Sequence, residues 1–309
     1  ELNMEFIWLG MVIGSLGNHN GIDLLLKANR YWLRPAKKPY LLLPEGVQLR
    51  NPALFSYFEP HLCVIRQAEV IQSLKSLETL LTLPLGMGLT LHHGFSHMSI
   101  GANQIEIERG KLGIESSYFK LSDHHREMGL QALKQLGVPG DAWYVTLHVR
   151  EPGFRGPEGT TEDWRNANPL DYIKAIKAVT KAGGWVFRMG DPSMTPLPKI
   201  PQVIDYALNE IRCDWMDIFL GATCKFLIGT GSGYYQIPAF FGVPYILTDF
   251  PGFAHYFEMK NSDLFLPRWL KKVQTEKLVS FEEYMSPPTS MFYSPKSLRD
   301  AGLDWVKNT

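Results

Sequence analysis

Trp143-Tyr-Val-Thr-Leu-His-Val-Arg150 and Phe226-Leu-Ile-Gly-Thr-Gly-Ser-Gly233 decide the reading of this chain. Each is a short apolar run that ends in groups suited to an anion. The first alternates and is rich in β-formers, so it predicts a strand that delivers His148 and Arg150 to its carboxyl end, the edge of an open α/β sheet where ligands bind. Arg150 carries a permanent charge and a planar fork of donors that can grip a phosphate with two parallel bonds. In the second run, Thr230, Gly231, Ser232 and Gly233 lie between a strand over 225–229 and an expected helix over 232–241. Small residues there let backbone N–H groups and a helix N-terminus face an anion.

Working outward, the same alternation recurs on both sides. Ser122 reads as the N-cap of a helix to Leu136, which Gly137-Val-Pro-Gly140 ends before the Trp143 strand. A helix over 169–182 runs into a strand over 185–189, and a helix over 214–223 runs into the Phe226 strand. A further strand is expected over 243–248. Serial α/β units of this kind predict a doubly wound parallel sheet over roughly 121–295. Earlier in the chain, strands are expected over 3–12, 39–43 and 62–65, with helices over 22–32, 51–58 and 69–81. The segment 84–120 shows no usable period, and a terminal helix is expected over 297–307, packing back across the first domain. The chain has 309 residues, and single cores stop growing near 250–300 residues. Two domains are therefore expected, over 1–120 and 121–309.

Composition narrows the classes. With 31 basic and 31 acidic residues and no block of either sign, broad electrostatic binding to nucleic acid or anionic lipid is excluded. No apolar stretch reaches the roughly 20 residues of a membrane span, and no secretory signal is visible, so a soluble cytoplasmic protein is expected. The three cysteines, Cys63, Cys213 and Cys224, have no framework spacing and read as reduced thiols.

Each candidate residue has a structural competitor. For Arg150 it is a salt bridge at a strand end. For His148, flanked by Leu147 and Val149, it is a hydrogen-bonded core histidine, and a positioning role is favoured over a base. Arg188 and Gly190 end the next strand, where Arg188 could supply a second cation to a diphosphate or form an interdomain ion pair. The Thr230–Gly233 glycines could equally make a tight turn. Glu151 directly follows Arg150 and is the leading candidate for a general base, with His19 or Asp23 in the glycine-rich amino-terminal loop close behind. The polar excursion 151–168, with Trp164 and Arg165, has the length and composition of a binding loop. His92, His93 and His97 lack a third-ligand motif, and no Asp-X-Asp motif occurs, so no metal site is expected.

The order His148-Val-Arg150, Val186-Phe-Arg-Met-Gly190, Ile204-Asp-Tyr-Ala207, Cys224 to Gly233 and Phe241-Gly-Val-Pro-Tyr-Ile-Leu247 resembles a bacterial family of surface-carbohydrate glycosyltransferases. The resemblance covers roughly 143–270. More distantly, His148-Val-Arg150 is similar to the phosphate-gripping motif of fucosyltransferases, and Thr230-Gly-Ser-Gly233 to the Asp-Ser-Gly region of heptosyltransferases. Thr230-Gly231 replaces the acidic residue of that region and Tyr234-Tyr235 follow, so heptosyltransferase sugar contacts do not carry over. The resemblance implies a GT-B-like α/β fold with two Rossmann-like domains facing a cleft. It also implies transfer of a sugar from a nucleotide-sugar donor to a carbohydrate acceptor, with no separate cofactor and no metal. The donor would be held by His148, Arg150, Arg188, Gly190, Thr230, Gly231, Ser232 and Gly233, and a larger polysaccharide-synthesis complex is a possible partner. A nucleotide-sugar epimerase on the same fold and a non-catalytic carbohydrate-binding module are the alternatives.

Overall fold

A computed structural model describes residues 6–7, 19, 22–23, 26, 40–75, 88–91, 94–97, 117, 119–153, 163–250, 260, 262–292, 294–306 and 308. The chain divides into two compact units, residues 1–120 with 240–242, and residues 121–239 with 243–309.

In the first unit, β1 (Phe6–Ile7), β2 (Tyr40–Leu42) and β3 (Cys63–Ile65) form a parallel sheet in that order. The helix Pro52–Phe58 connects β2 to β3. Asn51 starts it by accepting a hydrogen bond from the Leu54 N–H at 2.7 Å, and proline at the first position loses no helical bond there. Phe58 is wholly buried and meets Phe119 edge-on at 4.7 Å and Phe240 at 5.3 Å. Crossed rings of this kind bury much area and add edge-to-face attraction. A helix follows over Ala68–Lys75, and β4 (Gly88–Leu91) pairs antiparallel with β5 (Gly94–His97). Most of the glycine-rich loop over 14–21, and His92 and His93, lie outside the described residues.

The second unit is built on a six-stranded sheet. Its strands are β6 (Tyr144–His148), β7 (Trp185–Arg188), β8 (Val203–Ile204), β9 (Leu227–Thr230), β10 (Tyr245–Phe250) and β11 (Leu264–Pro267). The spatial order is β8-β7-β6-β9-β10-β11 and every neighbouring pair is parallel. Renumbered within the unit, that order is 3-2-1-4-5-6, the doubly wound arrangement, and it reverses direction between β6 and β9. Helices cover the sheet, which is why β6 and β9 are apolar on both faces rather than alternating with solvent. Val145, Leu147 and Val149 share one face of β6 and pack with Ile176 and Val179 of the helix Ile173–Lys181. Ser122 caps the helix Asp123–Gln135 by accepting from the His125 N–H at 3.2 Å. The helix Asp214–Thr223 precedes β9.

Two expected helices differ in the structure. The segment after Thr230 forms a 3-10 turn over Gly233–Tyr235 and only a five-residue α-helix, Gln236–Phe240. Pro238 interrupts its backbone donors, and Gly242, at φ +78°, ends it. So short a helix carries little of the dipole expected there. At the carboxyl-terminal end, the helix expected over 297–307 is instead a helix over Pro295–Asp300 followed by β13 (Leu303–Val306). β13 pairs antiparallel with β12 (Trp269–Lys272). Leu270, Val279, Tyr284, Leu298 and Leu303 make a small core of their own, so this segment is anchored within the second unit.

Candidate functional site

The carboxyl ends of parallel strands lie along one edge, and a reversal such as that between β6 and β9 is where sheets of this order bind ligands. Register places the two decisive motifs at that reversal, since His148 is level with Gly229. The Arg150 N–H donates to Thr230 Oγ1 at 2.8 Å, and Thr230 is buried. Ser232 Oγ and His148 Nδ1 are 2.9 Å apart, and the His148 ring stacks on Tyr234 at 5.4 Å with 17° between planes. Thus the structure brings His148, Arg150, Thr230, Gly231, Ser232 and Gly233 together. A Cβ on Gly231 would come within 2.4 Å of the Phe250 ring, so glycine is what lets this peptide pass the end of β10.

Arg188 and Glu151 are assigned differently. The Arg188 side chain has no exposed surface; its Nη2 donates to Glu151 Oε1 at 2.6 Å and to the Thr195 carbonyl at 2.8 Å, and its Nη1 donates to Asp205 Oδ1 at 2.8 Å. Glu151 Oε2 accepts from the Thr195 N–H at 3.0 Å, and Asp205 Oδ2 accepts from the Leu197 N–H at 2.9 Å. This network ties the 191–205 segment to the end of β7. It is the ion-pair reading of Arg188, made within one unit, and it uses the guanidinium that a donor phosphate would need. Glu151, held by that cation, is poorly placed to accept a substrate proton. Gly190, at φ +147°, makes the turn after β7, where a Cβ would lie 2.7 Å from Met194 Cε. His19 and Asp23 are helical and wholly buried in the first unit, with the His19 ring 5.6 Å from Phe58. A buried imidazole against an aromatic ring has the surroundings of a core histidine.

Two residues absent from the motif reading, Asp249 and Arg268, complete the edge. Asp249 is a buried non-glycine residue at φ +51° near the end of β10. It accepts from the Tyr172 hydroxyl at 3.2 Å and lies 3.6 Å from Arg268 Nε. Arg268, only 4% exposed, donates to the Trp164 carbonyl and, at 2.8 Å, to the Asn166 carbonyl. Asp249 was visible as an acid at a strand's carboxyl end, whereas nothing around Arg268 marks it.

His148 and Asp217 both meet Tyr234, the first by ring stacking and the second through its carbonyl, to which the Tyr234 hydroxyl donates at 3.4 Å. Burial, followed by the Arg188 and Arg150 charges, pushes His148 down from 6.5 to about 4. Burial pushes the Asp217 carboxyl up from 3.8 to about 7, against a Tyr206 hydrogen bond and Arg212. Neutral His148 therefore contributes stability that is present above pH 6.5 and lost as pH falls toward 4. Protonated Asp217 contributes stability that is present below 3.8 and lost as pH rises through 7. The two act in opposite directions. Asp217→Asn should expose a stability that rises from pH 4 to 6.5, and His148→Gln one that falls from pH 4 to 7. Each slope should approach about 1.4 kcal/mol per pH unit at its steepest. Urea unfolding across the pH range measures both, and slopes of the same sign would contradict the assignment.

No sequence-family model and no curated protein sequence matches the chain. Among solved structures, the glycosyl transferase family 9 protein from Veillonella parvula DSM 2008 aligns over 86% of this chain and 85% of its own, at 10% identity and a TM-score of 0.53. The fold is GT-B-like. The E. coli heptosyltransferase WaaC with ADP aligns over 86% of this chain and 91% of its own, at 13% identity and TM-score 0.41. E. coli ADP-heptose lps heptosyltransferase II aligns over 85% and 93%, at 12% identity and TM-score 0.43. The fold assignment rests on the first of these together with the sheet order. Among the described residues, no group of three or more His, Cys, Asp or Glu side chains could hold a metal, and no helix is long and apolar enough to cross a membrane.

Proposed function

We propose that the protein is a glycosyltransferase that moves a sugar from a nucleotide-sugar donor to a carbohydrate acceptor in bacterial surface-glycan synthesis in the cytoplasm. The observation that carries this reading is the Arg150 N–H bonded to Thr230 at the sheet's reversal point, which fixes the backbone of an arginine beside a glycine-bearing loop. The resemblance of His148-Val-Arg150 to a phosphate-gripping motif supports it.

In this reading Arg150 and the amides of Thr230–Gly233 hold the donor diphosphate. Negative charge grows on the departing phosphate as the glycosidic bond breaks, so preorganised donors lower the barrier most where that charge appears. His148, kept neutral, fixes Ser232 through its Nδ1 hydrogen bond rather than moving a proton. With a guanidinium in place of a bridging cation, transfer should proceed without a divalent metal.

Calorimetry and thermal shift with ADP, GDP, UDP, CDP and their sugar conjugates test the donor class, because a ligand selective for the fold raises its stability by mass action. Binding of at least one nucleoside diphosphate is expected, with donor turnover that survives EDTA. No binding by any of them would remove the nucleotide-sugar reading. Loss of turnover in EDTA, restored by manganese or magnesium, would remove the metal-free phosphate site.

A further inference from the structure

Arg165 Nη2 donates to the Gly231 carbonyl at 2.7 Å. In a trans peptide the C=O and the following N–H point in opposite directions, so holding the Gly231 oxygen turns the Ser232 N–H to the other side of the loop. That constraint matters because glycine backbone rotates more freely than any other, and Gly231 has no Cβ to lock it.

Arg165 is itself tightly placed. The carbonyls on either side of it, those of Trp164 and Asn166, both accept from the buried Arg268 guanidinium. The Trp164 ring stacks on Trp305 at 5.1 Å with 12° between planes. Two residues on, the Ala167 N–H donates to the Arg150 carbonyl at 2.9 Å. The Arg150 peptide groups are therefore tied on one side to Thr230 and on the other to the 163–168 segment. One short segment reaches both halves of the anion cradle, with Arg268 as its anchor.

We propose that Arg165 is a positioning residue of the donor site: by holding the Gly231 carbonyl it aims the Ser232 N–H at the donor diphosphate, and Arg268 holds Arg165 in place. This inference rests on the nucleotide-sugar reading above. It extends the site to a segment that no glycine or phosphate motif marks.

The test uses Arg165→Ala and Arg165→Lys in the full chain, titrated with ADP, GDP, UDP and inorganic pyrophosphate, alongside melting curves. Arg165→Ala should bind the best wild-type ligand roughly tenfold to a hundredfold more weakly, the usual range for losing a charged hydrogen bond. Arg165→Lys should recover part of that affinity. Added millimolar methylguanidinium should restore binding to Arg165→Ala and leave wild type unchanged, a response that a merely structural loss would not give. Wild-type affinity in a folded Arg165→Ala protein overturns the proposal. Should Arg165→Ala fail to fold, wild-type affinity in Arg165→Lys overturns it equally. If wild type binds neither these four nor CDP or any of the sugar conjugates, the nucleotide-sugar reading falls first and takes this inference with it. If wild type binds and only the variants' melting temperatures change, the inference alone fails.

Discussion

Replacing Arg188 with methionine should destabilise the second unit by about 3–5 kcal/mol. The cost arises from what is left behind. Glu151 and Asp205 would lose their cation and keep one backbone N–H donor each, and the Thr195 carbonyl would lose its donor. Desolvated carboxylates without a partner are far more costly than an intact pair is stabilising, so the loss measures the broken network and not the worth of one bond. For a unit of this size the melting temperature should fall by roughly 10 °C. Urea unfolding and calorimetry check it. If the variant keeps its stability and loses only nucleotide affinity, Arg188 belongs to the donor and the network has been misread. Glu151→Gln, which keeps volume and one acceptor oxygen, should be milder and should not abolish turnover.

Arg150→Ala is expected to do the reverse. Its side chain is half-buried, and its backbone bond to Thr230 survives the substitution. Transfer should drop by roughly a hundredfold to a thousandfold, about 2.7–4 kcal/mol of transition-state stabilisation. Melting should change little. Arg150→Lys should recover only part of the rate, since a single ammonium cannot reproduce a two-pronged grip. Steady-state kinetics on folded variants decide the matter, and normal kcat/KM in Arg150→Ala would remove it from the phosphate.

The doubly wound sheet was legible because its central strands β6 and β9 are almost wholly buried and its helices amphipathic, so both periods stand out. The Asp214–Thr223 helix and the Ser122 cap appear where the pattern put them. Local pattern failed where distant partners decide. Arg188 at a strand end looks the same whether it faces a phosphate or Glu151 and Asp205, which lie 37 and 17 residues away. The terminal segment begins as a helix should, with a Ser294–Ser297 capping box. Gly302, at φ +68°, then stops it, and the alternating Leu303–Val306 finds an antiparallel partner in Trp269–Lys272 that no local rule reveals. Arg268 is the extreme case, since its importance lies wholly in the carbonyls it collects from a segment more than one hundred residues earlier.

The Arg150–Thr230 bond spans 80 residues of chain, and the strands that carry it are neighbours in space but not in sequence order. Bringing such ends together costs loop-closure entropy before any contact repays it. The paired motifs therefore come together only when β9 seats beside β6, although β7, β8 and the Asp214–Thr223 helix lie between the two strands in sequence. A nascent or truncated chain that ends before Phe226 carries the arginine but nothing for it to work with. Binding of an anion there would therefore require the completed unit. An anion bound there should slow the unit's unfolding while leaving its folding rate unchanged.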